Sequence, residues 1–327
     1  METRTKFLDI YTIDDVKKLP TYIQQQIEDI FVEGKTKRTL VLPNGQKYFM
    51  GNKLNDLTGS QWTFFTNSVI KTRYSTGGED GCAYKIRKIH PSPKPPKLLK
   101  DIIEFFTKEN DLVFDFFAGV GGTLLAASMA NRKAVGIELS EKYVNAYKEA
   151  NAFMKLEEQV MLCGDSLQLM KSGELDIFFP KKAKLILIDP PYMNMMSKEK
   201  TADGIKKYGK SSSPFTVLDN DLGNMNSEAF WNSFIESINL GLKYLDKKGH
   251  VAIFIKDLQP KGKNNNLLHA DMINKVTKNC PLDYLGMKIW ADQTVMLFPY
   301  GYPFEFVSNQ IHQFILFFKF SQSSNIF

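Results

Sequence analysis

Between Asp111 and Met129 an apolar run, Asp-Leu-Val-Phe-Asp-Phe, passes directly into Phe117-Ala-Gly-Val-Gly-Gly-Thr123 and then into small and apolar residues. This stretch restricts the fold more than any other. A strand-length run without polar alternation expects burial on both faces. The glycines let the backbone turn sharply and come close to a ligand, and the residues after them read as a helix. The pattern then repeats. Ala134-Val-Gly-Ile-Glu138 reads as a second strand, with Ser140 placed to cap a helix from Glu141 to about Met154. Gln159-Val-Met-Leu-Cys163 is a third strand, ending in Gly164-Asp165-Ser166, and Leu185–Ile188 is a fourth, ending in Asp189-Pro-Pro-Tyr192. Such alternation predicts an α/β chain with a parallel sheet and right-handed crossovers.

The chain has 327 residues, 43% of them hydrophobic, enough for one large core or two modest ones. No apolar run approaches the roughly 18 residues of a membrane span. The opening Met-Glu-Thr-Arg-Thr-Lys lacks the apolar region of a secretory signal. No membrane partner is therefore expected. Cys82, Cys163 and Cys280 are widely spaced, without a C-x-x-C. That argues against a disulfide framework or a metal site and for a reducing, cytoplasmic setting. A net charge of +6 permits a polyanionic partner without requiring one.

Residues 1–85 read as a separate, mixed segment. Asp14 or Asp15 is expected to cap a helix reaching about Phe31, and Asn44-Gly45 between two β-prone runs predicts a hairpin over Thr39–Met50. From Tyr84 to Lys100 there are six basic residues and no acid, interrupted by His90-Pro-Ser-Pro-Lys-Pro-Pro96. Lys97 onward has helical apolar spacing. Residues 193–226 form a long polar loop. Beyond it are a helix to about Leu245, a strand at His250–Ile255, a helix ending near Lys278, and sheet pieces at Tyr284–Trp290 and Phe314–Phe320.

Open α/β sheets bind ligands at the carboxyl ends of their strands. A dinucleotide fingerprint needs a third glycine where this chain has Leu124, which counts against a nicotinamide enzyme. Glu138 lies 19 residues after Gly119, at a strand end where an acid can hold two ribose hydroxyls. Asp165 is placed to hold an adenine edge. Asp189 and a proline carbonyl can accept hydrogen bonds from an exocyclic amine while Tyr192 stacks on the ring. Each acid alone reads more simply as a helix cap or a solvated loop residue. Four strands delivering ligand-type groups to one rim do not.

With these motifs the chain resembles the S-adenosylmethionine-dependent DNA amino-methyltransferases, which modify adenine N6 or cytosine N4. The likeness rests on His90-Pro-Ser-Pro-Lys-Pro-Pro96, Asp115-Phe-Phe-Ala-Gly-Val-Gly-Gly-Thr123, Val135-Gly-Ile-Glu-Leu139, Cys163-Gly-Asp-Ser166 and Asp189-Pro-Pro-Tyr192. It covers residues 90–192, with a weaker likeness in strand order to about residue 320. The first 85 residues show none. The resemblance implies a Rossmann-like class I methyltransferase fold, a mostly parallel sheet with an antiparallel terminal strand. Its catalytic unit would span 86–327, with a small N-terminal α+β segment at 1–85. It implies S-adenosylmethionine as cofactor, with Asp115, Phe117, Ala118, Gly119 and Gly121 at its methionine and ribose part. Glu138 would take the ribose hydroxyls and Asp165 the adenine amine, while His90 to Lys94 would close over the methionine end. Asp189, Pro190, Pro191 and Tyr192 form the implied catalytic set, acting on a base flipped out of the duplex.

Cytosine-C5 methylation needs a thiolate, supplied in that family by a Pro-Cys pair, and this chain has no such dipeptide. An aspartate opening the Asp-Pro-Pro-Tyr motif leans toward adenine N6. Cytosine N4 and an RNA base remain alternatives, with DNA ranked ahead of RNA; a noncatalytic DNA-binding protein of this fold ranks below them, and a nicotinamide enzyme lower still. Only 23 residues separate Asp165 from Asp189, too few for a recognition domain. Sequence reading is therefore expected from residues 1–85, from 193–226 with Lys206, Lys207 and Lys210 on phosphates, or from a restriction or recognition partner. The target sequence and oligomeric state stay open.

Overall fold

The computed structural model describes residues 5–191, 221–260 and 265–321. Tyr192 and most of the expected 193–226 loop lie outside them. An eight-stranded sheet carries the chain, in the order β5-β11-β12-β10-β9-β6-β7-β8. Its strands are β5 (Val69–Thr72), β6 (Leu112–Asp115), β7 (Lys133–Glu138), β8 (Val160–Cys163), β9 (Ala183–Ile188), β10 (Leu245–Ile255), β11 (Leu282–Asp292) and β12 (His312–Phe320). All but β12 run in one direction, and β12 lies antiparallel between β10 and β11. The reversed strand expected near the end of the sequence is thus inside the sheet. With its helical crossovers this is a Rossmann-like α/β fold, a mostly parallel sheet with one antiparallel strand.

The central strands are apolar throughout because both faces are covered. Alternate residues divide between two cores. Phe114, Ile186, Ile188, Val251 and Ile253 face one, with Phe230 and Phe234 of a helix at Ser227–Gly241 and Met272 and Val276 of another at Leu268–Asn279. Val113, Leu185, Leu187, Ala252 and Phe254 face the other, under helices at Pro96–Phe106, Gly122–Met129 and Glu141–Met154. Among the described residues no helix is long and apolar enough to cross a membrane.

The N-terminal segment differs from the sequence expectation in two ways. The helix expected to reach Phe31 is broken into short turns at Ile13–Val16 and Thr21–Gln24 and ends in β2 (Phe31–Glu33). Pro20, which has no N–H to give, stands between the turns, and Thr12 rather than Asp14 or Asp15 provides the cap. Residues 5–49 form a small sheet of β1 (Thr5–Lys6), β2, β3 (Thr39–Val41) and β4 (Lys47–Phe49), with its own core around Phe7, Ile23, Leu40 and Tyr48. Within it β3 and β4 make the predicted hairpin, with Gly45 at φ +80°. The chain then joins the main body. Phe65 stacks on Phe105 at 3.9 Å, and β5 pairs in parallel with β11 at the sheet's edge.

Candidate active site

Strand order places the site. β6 and β9 are neighbours, yet the chain proceeds from β6 outward through β7 and β8, and from β9 the other way to β10. Loops leaving β6 and β9 therefore diverge and open a crevice at their carboxyl ends. The glycine loop and Asp189-Pro190-Pro191 flank that crevice, and a cavity of about 270 Å³ fills it.

Its walls include His90, Lys94, Phe117, Gly119, Glu138, Asp165, Asp189, Pro190 and Pro191. Asp115 and Ala118 line a smaller adjoining recess of about 50 Å³. Gly121 lines neither cavity. It opens the helix at Gly122–Met129 with φ +71°, and a Cβ there would lie 2.2 Å from the Tyr147 ring.

Burial controls the acids. Asp115, 3% exposed, accepts from the Phe117 N–H at 3.0 Å. Burial raises its carboxyl to about 7 against the hydrogen bonds from Thr123 and Phe117. Glu138 is likewise pushed up to about 7 by burial, although its two oxygens accept from the Gly119 and Ser140 N–H groups, each at 2.8 Å. Ser140 thus serves Glu138 through its backbone and makes no side-chain cap to the helix it precedes. Asp165 caps the helix at Ser166–Ser172, accepting from the Leu167 and Gln168 N–H groups at 2.8 and 3.3 Å.

Asp189 is ion-paired with Lys94, whose side chain is 7% exposed and whose ammonium lies 5.4 Å from the Phe254 ring centroid. His90 stands edge-on to Tyr143 at 4.9 Å, and burial lowers its pKa to about 4. Its Nδ1 accepts the Ser92 N–H at 3.2 Å, so the neutral ring carries its proton on Nε2.

Sequence reasoning missed Asp221, Lys256 and Gln313, which also line the main cavity. Lys256 directly follows β10, a fifth strand end that the same rim argument would have reached. Asp221 and Gln313 carry no local signal, since tertiary packing alone brings them to the crevice.

Comparison with known proteins agrees with this arrangement. A family described as DNA methylase matches residues 8–149, including most of the segment in which the sequence reading found no likeness. The orphan methyltransferase M.BamHII of Bacillus amyloliquefaciens is 30% identical over 135 residues, 37% of this chain and 51% of that one. The type II methyltransferase M.HindIII of Haemophilus influenzae is 45% identical over 94 residues, 29% and 28% of the two chains. A tRNA (guanine(10)-N2)-dimethyltransferase of Methanocaldococcus jannaschii is 26% identical over 140 residues, 40% and 37% of the two. The chain spans about half the length or less of these relatives. Its resemblance to the S-adenosylmethionine-dependent DNA amino-methyltransferases is borne out by the family match and by the likeness to M.BamHII and M.HindIII.

S-adenosylmethionine is the cofactor of that chemistry, and the cavity fits it on physical grounds. A carboxylate at the end of β7, an acid after β8 and the glycine loop, through Phe117 and Gly119, border one apolar-walled crevice beside Asp189.

Proposed function

We propose that the protein transfers a methyl group from S-adenosylmethionine to the exocyclic amine of a base flipped out of DNA, with adenine N6 as the favoured position. The observation that carries this reading is the placement of Asp189 and Pro190 on the same crevice as Glu138, Asp165 and the glycine loop. Glu138 would hold the ribose hydroxyls and Asp165 the adenine amine of the cofactor, with Phe117 and Gly119 along its methionine and ribose part and His90 over the methionine end. The bound cofactor supplies an already activated methyl group, so the protein's task is positioning and electrostatics. Asp189 and the Pro190 carbonyl accept hydrogen bonds from the amine, which turns the nitrogen lone pair toward the methyl-binding end of the crevice; as the methyl passes to nitrogen, S-adenosylhomocysteine leaves and the nitrogen gives up one proton to solvent. Lys94 fixes the Asp189 carboxylate, and neutral His90 adds no positive charge near a sulfonium.

Incubation with methyl-labelled cofactor and either duplex DNA or RNA, followed by digestion to nucleosides, tests the reading. The expected product is N6-methyladenine in DNA. N4-methylcytosine would move the target base, label confined to RNA would move the substrate class, and no label in either would remove the proposal.

A further inference from the structure

A second cavity, of about 250 Å³, adjoins the catalytic one, and Ser92, Lys94 and Gln313 line both. Its remaining walls include Tyr74, Tyr84, Arg87 and Lys97, with Trp290 and Asp292 from the end of β11. Arg87 is 1% exposed. One guanidinium nitrogen donates to the Lys94 carbonyl at 2.6 Å, while Nε has no hydrogen-bond partner among the described residues. Nor does any carboxylate among them pair with it. The two carboxylates on the cavity wall are engaged elsewhere. Asp80 pairs with Lys97 at 2.6 Å, and Asp292 accepts from the Thr294 N–H and hydroxyl at 2.8 and 2.7 Å.

A buried cation without a counter-ion is costly, and buried polar groups in folded proteins almost always have partners. Arg87 is therefore a group built for an anion that arrives from outside. Its planar fork suits a phosphate. Tyr74 and Tyr84 offer surfaces on which a base or sugar can lie. Three residues line both this cavity and the one that holds the place assigned to the target amine, so the two are contiguous.

We infer that the second cavity takes a phosphodiester of the DNA strand bearing the target base, held by Arg87 with Lys97 at the cavity mouth. This rests on the proposed methyl transfer and adds to it a site that fixes the strand next to the flipped base.

The test uses the full chain saturated with S-adenosylhomocysteine. It compares calorimetric binding of the deoxydinucleotide d(ApA) with that of its uncharged methylphosphonate analogue. The wild type should favour the phosphodiester about tenfold, in the range of a charge-assisted hydrogen bond. Arg87→Met should reduce the preference below twofold while retaining S-adenosylhomocysteine affinity. Should Arg87→Met fail to fold, Lys97→Met, a change at a partly exposed position, should lower the preference about threefold. Equal binding of both dinucleotides by the wild type overturns the inference, as does an undiminished preference in a folded Arg87→Met or in Lys97→Met. Arg87-dependent binding of inorganic phosphate without binding of d(ApA) assigns the site to a free anion and also overturns it. A protein that methylates DNA yet ignores the linkage charge loses this inference alone. One that discriminates the linkages but methylates no nucleic acid loses the function on which it rests.

Discussion

Lys94 reaches Asp189 across 95 residues of sequence, and the pair changes what each can do. The motif resemblance assigned Lys94 to the cofactor and Asp189 to the target amine. Geometry places the lysine's ammonium on the aspartate itself. Asp189→Ala should lower the methyl-transfer rate at least 10²-fold while leaving the dissociation constant of S-adenosylhomocysteine within about threefold, as single-turnover assays and calorimetry can show. The same change leaves a 7%-exposed ammonium unpaired and should cost about 2 kcal/mol of stability. Because Lys94→Met removes the same pair, the double variant should be less destabilised than the sum of the two single changes in a thermal-melting cycle. Glu138 gives a pH prediction. Burial raises it from its ordinary range to about 7, so the native state holds its proton more tightly than the unfolded chain. Its contribution to stability is present at acid pH and is lost as pH rises through about 7. Ribose hydroxyls donate to the ionised form, so S-adenosylhomocysteine should bind more tightly at pH 8 than at pH 6. Glu138→Gln should weaken binding and flatten that slope; an unchanged slope would take Glu138 off the ribose. The residue types of these acids and their strand-end positions were legible in the sequence. Their partners were not, because contacts between distant segments leave no local periodicity.

Among the elements, the loop between β6 and the helix at Gly122–Met129 shows how much of a motif its letters explain. Gly119 and Gly121 both take positive φ, at +52° and +71°. A methyl group at Gly119 would come nearest the His90 ring, at 3.5 Å, an ordinary contact, whereas at Gly121 it would enter the Tyr147 ring. Gly119→Ala should therefore cost about 1 kcal/mol, mainly backbone strain. Gly121→Ala adds a clash within a packed core, so about 3 kcal/mol is expected. Chemical denaturation monitored by circular dichroism separates the two, and equal costs would show that Tyr147 yields. The strands and helices after residue 96 followed the apolar pattern closely, since a buried parallel sheet writes uninterrupted apolar runs into a sequence. The break at Pro20 and the missing Ser140 side-chain cap lay beyond that pattern. One depends on how short turns pack on a small sheet, the other on a backbone N–H drawn to Glu138.

At the scale of the whole molecule, the segment expected to stand apart supplies an edge strand to the main sheet. Arg132, 5% exposed, reaches back to Asp56 at 3.3 Å, and Thr21 donates to Glu109 at 2.9 Å through its backbone. Removing residues 1–85 would bare β11 and the Phe65-covered face of Phe105, so the remainder is expected to aggregate on size-exclusion chromatography. Asp56→Ala should lower stability by about 3 kcal/mol in a melting experiment, because it strands a buried guanidinium. One consequence concerns synthesis. β12 follows both of its neighbours in the chain yet lies between them. A nascent polypeptide displaying β10 and β11 must hold open the slot between them, with apolar backbone unpaired, until β12 emerges. Trp290, beside the second cavity, and Gln313, on the rim of both, are joined across the β11–β12 seam. The wall that would grip the substrate strand therefore closes after the cofactor loop, whose strands β6 and β7 come much earlier. A partly translated chain could complete its cofactor-binding half while the wall for nucleic acid is still missing.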